Sequence, residues 1–246
     1  MGRRKNKFKT KIITLIITLI ILIAGYFNID IEKYINEYIN FNKYSISYTT
    51  SFDLGTIPEF NNNPYVVLNE NNPEFSGEDM GKDTFEQYSK LDYLGRCGPA
   101  YAKIGIETIP TEERGEIGQI KPSGWQTAKY DIVEGKYLYN RCHLIGFQLA
   151  GENANERNLI TGTRYMNVEG MLPFENMIAE YVKTTNNHVL YRVTPIYEGE
   201  NLIASGVQME AKSVEDNGKT ICFNIYVYNA QPGIIIDYSD GYSAQI

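Results

Sequence analysis

The sequence predicts an α+β protein in which antiparallel strands surround a strand–loop–helix centre, and three observations carry this expectation. Three strand-like runs fill the C-terminal third, at 188–197, 202–211 and 220–229. They are parted by Glu198-Gly199 and by Asp216-Asn217-Gly218, the latter a hairpin-type turn. Before them, residues 173–183 place Phe174, Ile178 and Tyr181-Val182 on one helical face, with Pro173 suited to the first turn. The 20 tyrosines, together with the Ile and Val of these runs, favour β structure over an all-helical bundle.

Taken in order, the chain opens with six basic residues and no acid in 1–11, followed by an apolar run from Ile12 to Phe27 broken only by Thr14, Thr18 and Gly25. A basic flank before such a run marks a signal peptide or an N-in signal anchor. The run is short for the ~20 residues of a membrane span. A small-x-small cleavage site is poorly formed, because Leu22 stands two before Ala24 and Tyr26-Phe27 follow. A retained anchor in residues 1–27 is therefore favoured over a cleaved leader, and either places the rest of the chain outside the cytoplasm. Residues 28–60 are polar and aperiodic and read as a stalk, leaving 61–246 as one domain.

Within that domain, Asn61-Asn62-Asn63-Pro64 is a turn and Tyr65-Val66-Val67-Leu68 the first strand. Residues 71–100 are rich in turn signals, and 110–125 read as a loop carrying Arg114 and Lys121. Gly135-Lys136 turns the chain into Tyr137-Leu138-Tyr139, a strand that delivers Asn140-Arg141-Cys142-His143. The Asn-rich stretch 151–158 is a loop, and Thr161 and Thr163 offer N-cap oxygens to a helix running through Asn167.

The chain carries −7, of which residues 1–11 contribute +6, so the remainder carries −13. Nucleic-acid binders usually show a basic footprint, which here is at most local. That weighs against tight non-catalytic binding and is tolerable for an enzyme gripping one phosphate. Three cysteines without C-x-x-C spacing, beside two histidines, argue against a structural zinc site. Cys97 and Cys142 occur in similar contexts, Arg-Cys-Gly and Arg-Cys-His; a disulfide between them is one reading, three free thiols the other.

His143 centres the chemistry. Phosphodiester hydrolysis needs a base for water, for which a near-neutral imidazole is suited, and a cation for the phosphate and leaving oxygen, for which a hard divalent ion with oxygen ligands is suited. The runs Asn140-Arg141-Cys142-His143-Leu144-Ile145-Gly146, Asn158-Leu159-Ile160 and Arg164-Tyr165-Met166-Asn167 resemble the DNA/RNA non-specific endonucleases, ββα-metal (His-Me finger) enzymes, and are most similar to streptococcal secreted DNases and DNA-entry nucleases. That family's core is D-R-G-H, an Asn in the following loop, a second Asn nine residues later on the finger helix, and then a Glu. Here Asn158 and Asn167 are nine apart and Glu175 follows by eight.

The resemblance implies His143 as general base and Asn167 as protein ligand to one Mg²⁺, with Mn²⁺ as a substitute. It implies Asn158 as a support, Glu175 as a partner of metal-coordinated water, and Arg141 as a phosphate contact. It also implies 5′-phosphate products from DNA, with RNA a second candidate substrate. Arg114, Lys121, Arg157 and Arg164 are further candidate substrate contacts, whereas His188 opens a strand and reads as structural. Two residues depart from the core: Asn140 stands for Asp, and Cys142 for Gly, so no backbone conformation requiring glycine is expected there.

Other readings compete. Cys142 as a nucleophile paired with His143 fails, because neighbours on a strand point to opposite faces. A catalytically silent binding module on a nuclease scaffold is motivated by the −13 charge and the two core substitutions. An exported nuclease toxin is a third.

Overall fold

The computed structural model describes residues 54–246. The basic flank, the apolar leader and most of the polar segment before the domain lie outside the described residues. Of that segment's end, Ile57 and Phe60 pack against Tyr226 and Tyr228, and the Phe60 ring meets Tyr165 edge-on at 5.9 Å. Among the described residues no helix is long and apolar enough to cross a membrane.

Among the described residues ten strands form three antiparallel groups. The main sheet has six strands in the order β1-β8-β7-β6-β3-β2. These are β1 (Tyr65–Val67), β2 (Phe85–Tyr88), β3 (Ala100–Ile104), β6 (Val189–Ile196), β7 (Gly206–Ser213) and β8 (Cys222–Tyr228). The three C-terminal runs read from the sequence are β6, β7 and β8; β6 and β8 are shorter at both ends, and β7 starts four residues later and ends two later than its run. Their β7–β8 turn uses Asn217 and Gly218 at φ of 54° and 82°, the left-handed region that the Asn-Gly pair tolerates.

A separate hairpin pairs β4 (Tyr139–His143) with β5 (Leu159–Thr163), His143 opposite Leu159 and Asn140 opposite Gly162. The third group is β9 (Ile234–Ile236) with β10 (Ser243–Gln245). Short helices α1 (Gly77–Gly81) and α2 (Phe147–Ala150) precede the long α3 (Leu172–Thr185).

Two readings of the sequence need correction. Thr161 and Thr163 lie in β5 rather than at a helix start. Thr163 Oγ1 nevertheless accepts the Met166 N–H at 3.0 Å, while Thr161 Oγ1 donates to Ser123 O. The helix through Asn167 is a π-helical turn, Met166–Met171, which runs straight into α3. Pro173 sits in the first turn of α3 and offers no N–H back to the π turn that precedes it.

One face of the main sheet and the inner face of α3 enclose the core. Ile178 and Val182 of α3 join Leu144, Ile145, Met166 and Met171 against Tyr191, Val193, Val207, Met209 and Ile225. The helix docks closely: a Cβ on Gly170 would stand 2.3 Å from Val227 Cγ1. Burying these aliphatic and aromatic side chains contributes roughly 1.5–3 kcal/mol each, which fixes the π turn and α3 on the sheet. All three cysteines are free, so the Cys97–Cys142 disulfide does not form. The Cys97 thiol points to Glu156 O and Leu159 O, and the Cys142 thiol to Asn167 Oδ1.

Candidate active site

The hairpin, the loop after it and the start of the helical run converge on a cleft of about 640 Å³. Its lining includes Arg114, Asn140, Arg141, His143, Gly146, Arg164, Asn167 and Glu175. His143 closes β4 and is 7% exposed. Its Nε2 lies 2.8 Å from Asn153 O, and its Nδ1 lies 3.4 Å from Arg114 Nη2. A carbonyl oxygen only accepts and a guanidinium only donates, so both neighbours require the same tautomer. Nε2 carries the hydrogen and Nδ1 holds the lone pair. Burial, aided by the Arg114 charge and opposed by the bond to Asn153 O, holds its pKa below the ordinary histidine value of 6.5. The side chain is thus neutral at neutral pH, with its basic nitrogen toward Arg114.

Asn158 ends the 3₁₀ turn Glu156–Asn158 and is fully buried. Its Oδ1 accepts from Ile145 N and its Nδ2 donates to Ile145 O, both at 2.9 Å, and its own carbonyl accepts from Leu144 N at 2.9 Å. These bonds fasten the two residues that follow His143. Next along, Gly146 N donates to Glu175 Oε1 at 2.9 Å. A Cβ on Gly146 would stand 2.4 Å from Glu175 Oε2, so only glycine lets the carboxylate come so close. Glu175, in the first turn of α3, is raised to a pKa of about 7 by burial, against the Gly146 N–H and the Arg114 charge.

Asn167 lies in the π-helical turn, and its backbone oxygen accepts the Leu172 N–H. Its carboxamide accepts from Cys142 Sγ at 3.1 Å and donates to Asn140 Oδ1 at 3.4 Å. Arg141 is committed elsewhere. Its Nε donates to Ile120 O, its Nη2 to Gly118 O at 2.7 Å, and its guanidinium lies 4.0 Å over the Trp125 ring. It thus braces the 118–125 loop from the rim of the cleft.

Of the further cations, Arg114 is at His143. Arg164 lines the cleft and pairs with Glu134 at 3.2 Å, whereas Lys121 and Arg157 are exposed and outside the lining. His188 stands before β6 between Glu107 and Glu215, away from the cleft. Sequence reasoning missed Asn153, which acts through a backbone oxygen and so leaves no side-chain signal.

The donors suit a hard divalent cation. Asn167 offers a carboxamide oxygen, and Glu175 a buried carboxylate that a nearby cation would hold ionised. Among the described residues no group of three or more His, Cys, Asp or Glu is placed to hold a metal. A cation here would rest on few protein oxygens and retain much of its water, as Mg²⁺ tends to do. Asn158 is excluded as a ligand, both ends of its amide being bound to Ile145.

The family model for DNA/RNA non-specific endonucleases matches residues 78–215, a stretch that contains the whole hairpin, the π turn and α3. The chain belongs to that family. Among similar proteins is a deoxyribonuclease of Streptococcus dysgalactiae subsp. equisimilis, 30% identical over 180 residues. That match covers 70% of this chain and 49% of the relative, so the chain spans about half the length of the curated relative. NucA from Streptococcus agalactiae, solved with magnesium bound, is 25% identical with a TM-score of 0.67, covering 78% of this chain and 93% of that one. The Sda1 nuclease, solved with a zinc ion, is 27% identical with a TM-score of 0.58, covering 75% and 97%. The α+β architecture of this family member, with its ββα centre on an antiparallel sheet, is that of these nucleases.

Proposed function

We propose that the chain is a divalent-metal-dependent, sequence-non-specific nuclease that hydrolyses phosphodiester bonds of DNA, and also of RNA, outside the cytoplasm. One observation supports this most: a neutral buried His143, its tautomer set by Asn153 and Arg114, shares a cleft with Asn167 and Glu175.

In this reading His143 Nδ1 takes the proton from the attacking water while Nε2–H stays on Asn153 O, which keeps the ring from turning. Arg114, beside that nitrogen, meets the incoming phosphate and gives up its contact with the imidazole as it does so. Asn158 holds Leu144 and Ile145, and through them the ends of both the His143 strand and the Gly146–Glu175 contact. Asn167 holds the cation, Mg²⁺ with Mn²⁺ as substitute, and Glu175 holds water coordinated to it. When bound, the cation supplies Lewis acidity toward the phosphate and the leaving oxygen. Products then carry 5′-phosphate ends. Arg141 acts through the loop it braces and not through the phosphate.

The export reading rests on the basic flank and apolar run of residues 1–27, with the intact chain retained at the membrane. Plasmid relaxation in Mg²⁺, repeated in excess chelator, tests the catalytic reading. Activity is expected in the first and none in the second; undiminished cutting in chelator would overturn the metal dependence.

A further inference from the structure

The two departures from the D-R-G-H core, Asn140 and Cys142, both hydrogen-bond to the side chain of Asn167. The thiol reaches Asn167 Oδ1 from a fully buried position on β4. Space for it is built on the opposite strand. A Cβ on Gly162 would meet Cys142 Sγ at 2.6 Å and Cys142 Cβ at 2.9 Å, so a larger residue there would displace the sulfur. Nor is the thiol simply filling a gap. A packed sulfur needs no oxygen at 3.1 Å, and Cys142 has an alternative neighbour in the apolar Met166 side chain, which approaches the same Gly162 position.

The Asn167 amide takes its orientation from these two partners. A carboxamide has a donor end and an acceptor end of nearly equal size, and the partner chooses between them. The second amide, Asn140, presents both ends itself and so leaves two mutually flipped arrangements close in energy. A carboxylate in that place would accept only. A thiol is a weak donor and a weaker acceptor, and its contact with Oδ1 breaks the tie.

We infer that Cys142 is a positioning residue for the metal ligand: its thiol donates to Asn167 Oδ1 and fixes which end of the Asn167 amide is offered to the cation. The inference rests on the reading of Asn167 as the ligand. It assigns to the non-glycine residue of the core a role that glycine cannot fill, with Gly162 as its compensating vacancy on β5.

Mn²⁺ binding to the full-length chain, followed by the loss of the free-ion electron paramagnetic resonance signal, tests this without turnover. Four proteins are compared, each checked for folding by thermal unfolding: wild type, Asn167→Ala, Cys142→Ala and Cys142→Ser. Asn167→Ala is expected to lose binding, and retained binding would overturn the ligand reading itself. Cys142→Ala is expected to weaken Mn²⁺ binding by about three- to tenfold, the worth of one modest hydrogen bond. Cys142→Ser, which keeps a hydroxyl donor at the same place, should recover to within about twofold of wild type. If Asn167→Ala loses Mn²⁺ while Cys142→Ala binds like wild type, the positioning role is wrong and the ligand reading stands. Serine as weak as alanine would equally overturn it, since shape and not donation would then matter. Should Cys142→Ala fail to fold, Gly162→Ala asks the same question by pushing on the sulfur, and wild-type Mn²⁺ affinity in that folded variant refutes the inference.

Discussion

Replacing Asn158 by alanine offers a measurable separation between support and chemistry. The substitution removes both partners of the Ile145 main chain, whose N–H and C=O are bonded at 2.9 Å to the two ends of the Asn158 amide. Ile145 is fully buried, so neither group reaches bulk water. Leaving a buried backbone group unpaired costs about 1–3 kcal/mol, and two of them about 2–6 kcal/mol. For a domain of this size the midpoint of thermal unfolding should fall by about 5–15 °C. The loss should not stop at stability, because Ile145 lies between His143 and the glycine that holds Glu175. A base displaced by about 1 Å costs about 10²-fold in rate, so kcat should fall by that order at a temperature where the variant is still folded. Asn158→Asp keeps the acceptor for Ile145 N–H but sets a buried carboxylate against Ile145 O, and at neutral pH should destabilise at least as much as alanine. Thermal unfolding by circular dichroism, paired with plasmid relaxation at 25 °C, reads both effects. A midpoint within about 2 °C of wild type together with unchanged turnover would refute the argument.

His143→Ala should lower kcat by about 10²–10⁴-fold in a folded protein and regain part of it with added imidazole, and folded protein that cuts plasmid normally would remove His143 as base. Because burial lowers the His143 pKa, the acid limb of the pH–rate profile should lie below 6.5; a limb above 6.5 that survives in Glu175→Gln would contradict that environment. Glu175 works in the opposite sense: its folded pKa of about 7 exceeds the ordinary 4.5, so the folded state binds more protons between these values and stability falls as pH rises through them. Metal-free protein should lose about 3 kcal/mol across that window, Glu175→Gln should flatten the slope, and an equal slope in both proteins would show the group is not responsible. Arg141→Ala and Trp125→Ala should both raise protease cleavage within 118–125 and leave the salt dependence of substrate binding unchanged, whereas a slope reduced by about one in Arg141→Ala alone would mark a direct phosphate contact.

The sequence was most legible where one signal decided the local structure. Asp216-Asn217-Gly218 announced its hairpin because Asn and Gly accept most readily the positive φ found there. The apolar face of α3 was equally plain. β2 and β3 were hidden in a stretch dense with turn residues: β2 is a four-residue edge strand, and β3 carries Ala100 and Ala102, poor strand formers held by burial on both faces. Thr161 and Thr163 were misread because Gly162 between them weakens a strand pattern that is in fact imposed by pairing with β4. Of the residues singled out by spacing, His143, Asn167 and Glu175 line one cleft and Asn158 is buried behind it, since all lie within one continuous segment. What stayed hidden depended on distant backbone or on tertiary approach: the Asn153 oxygen, the Gly146 contact with Glu175, and the bracing of a loop by Arg141.

The π-helical turn gives chain length a meaning of its own at this site. On a regular α-helix, residues eight apart are rotated by about 80° from one another at about 100° per residue, and Asn167 and Glu175 would look into different surroundings. A π turn takes up one extra residue, so eight steps rotate like seven and the two side chains come within about 20° of alignment. Both line the same cleft. Straightening this turn into regular α-helix at constant length would swing the two oxygens about 80° apart, whereas a regular helix one residue shorter would keep them aligned. An insertion between Asn167 and Glu175 would therefore separate them, while a deletion is tolerable only if the extra residue of the π turn is the one lost. Residue count and helix type are thus linked here: eight steps with the π turn and seven without it present the pair alike.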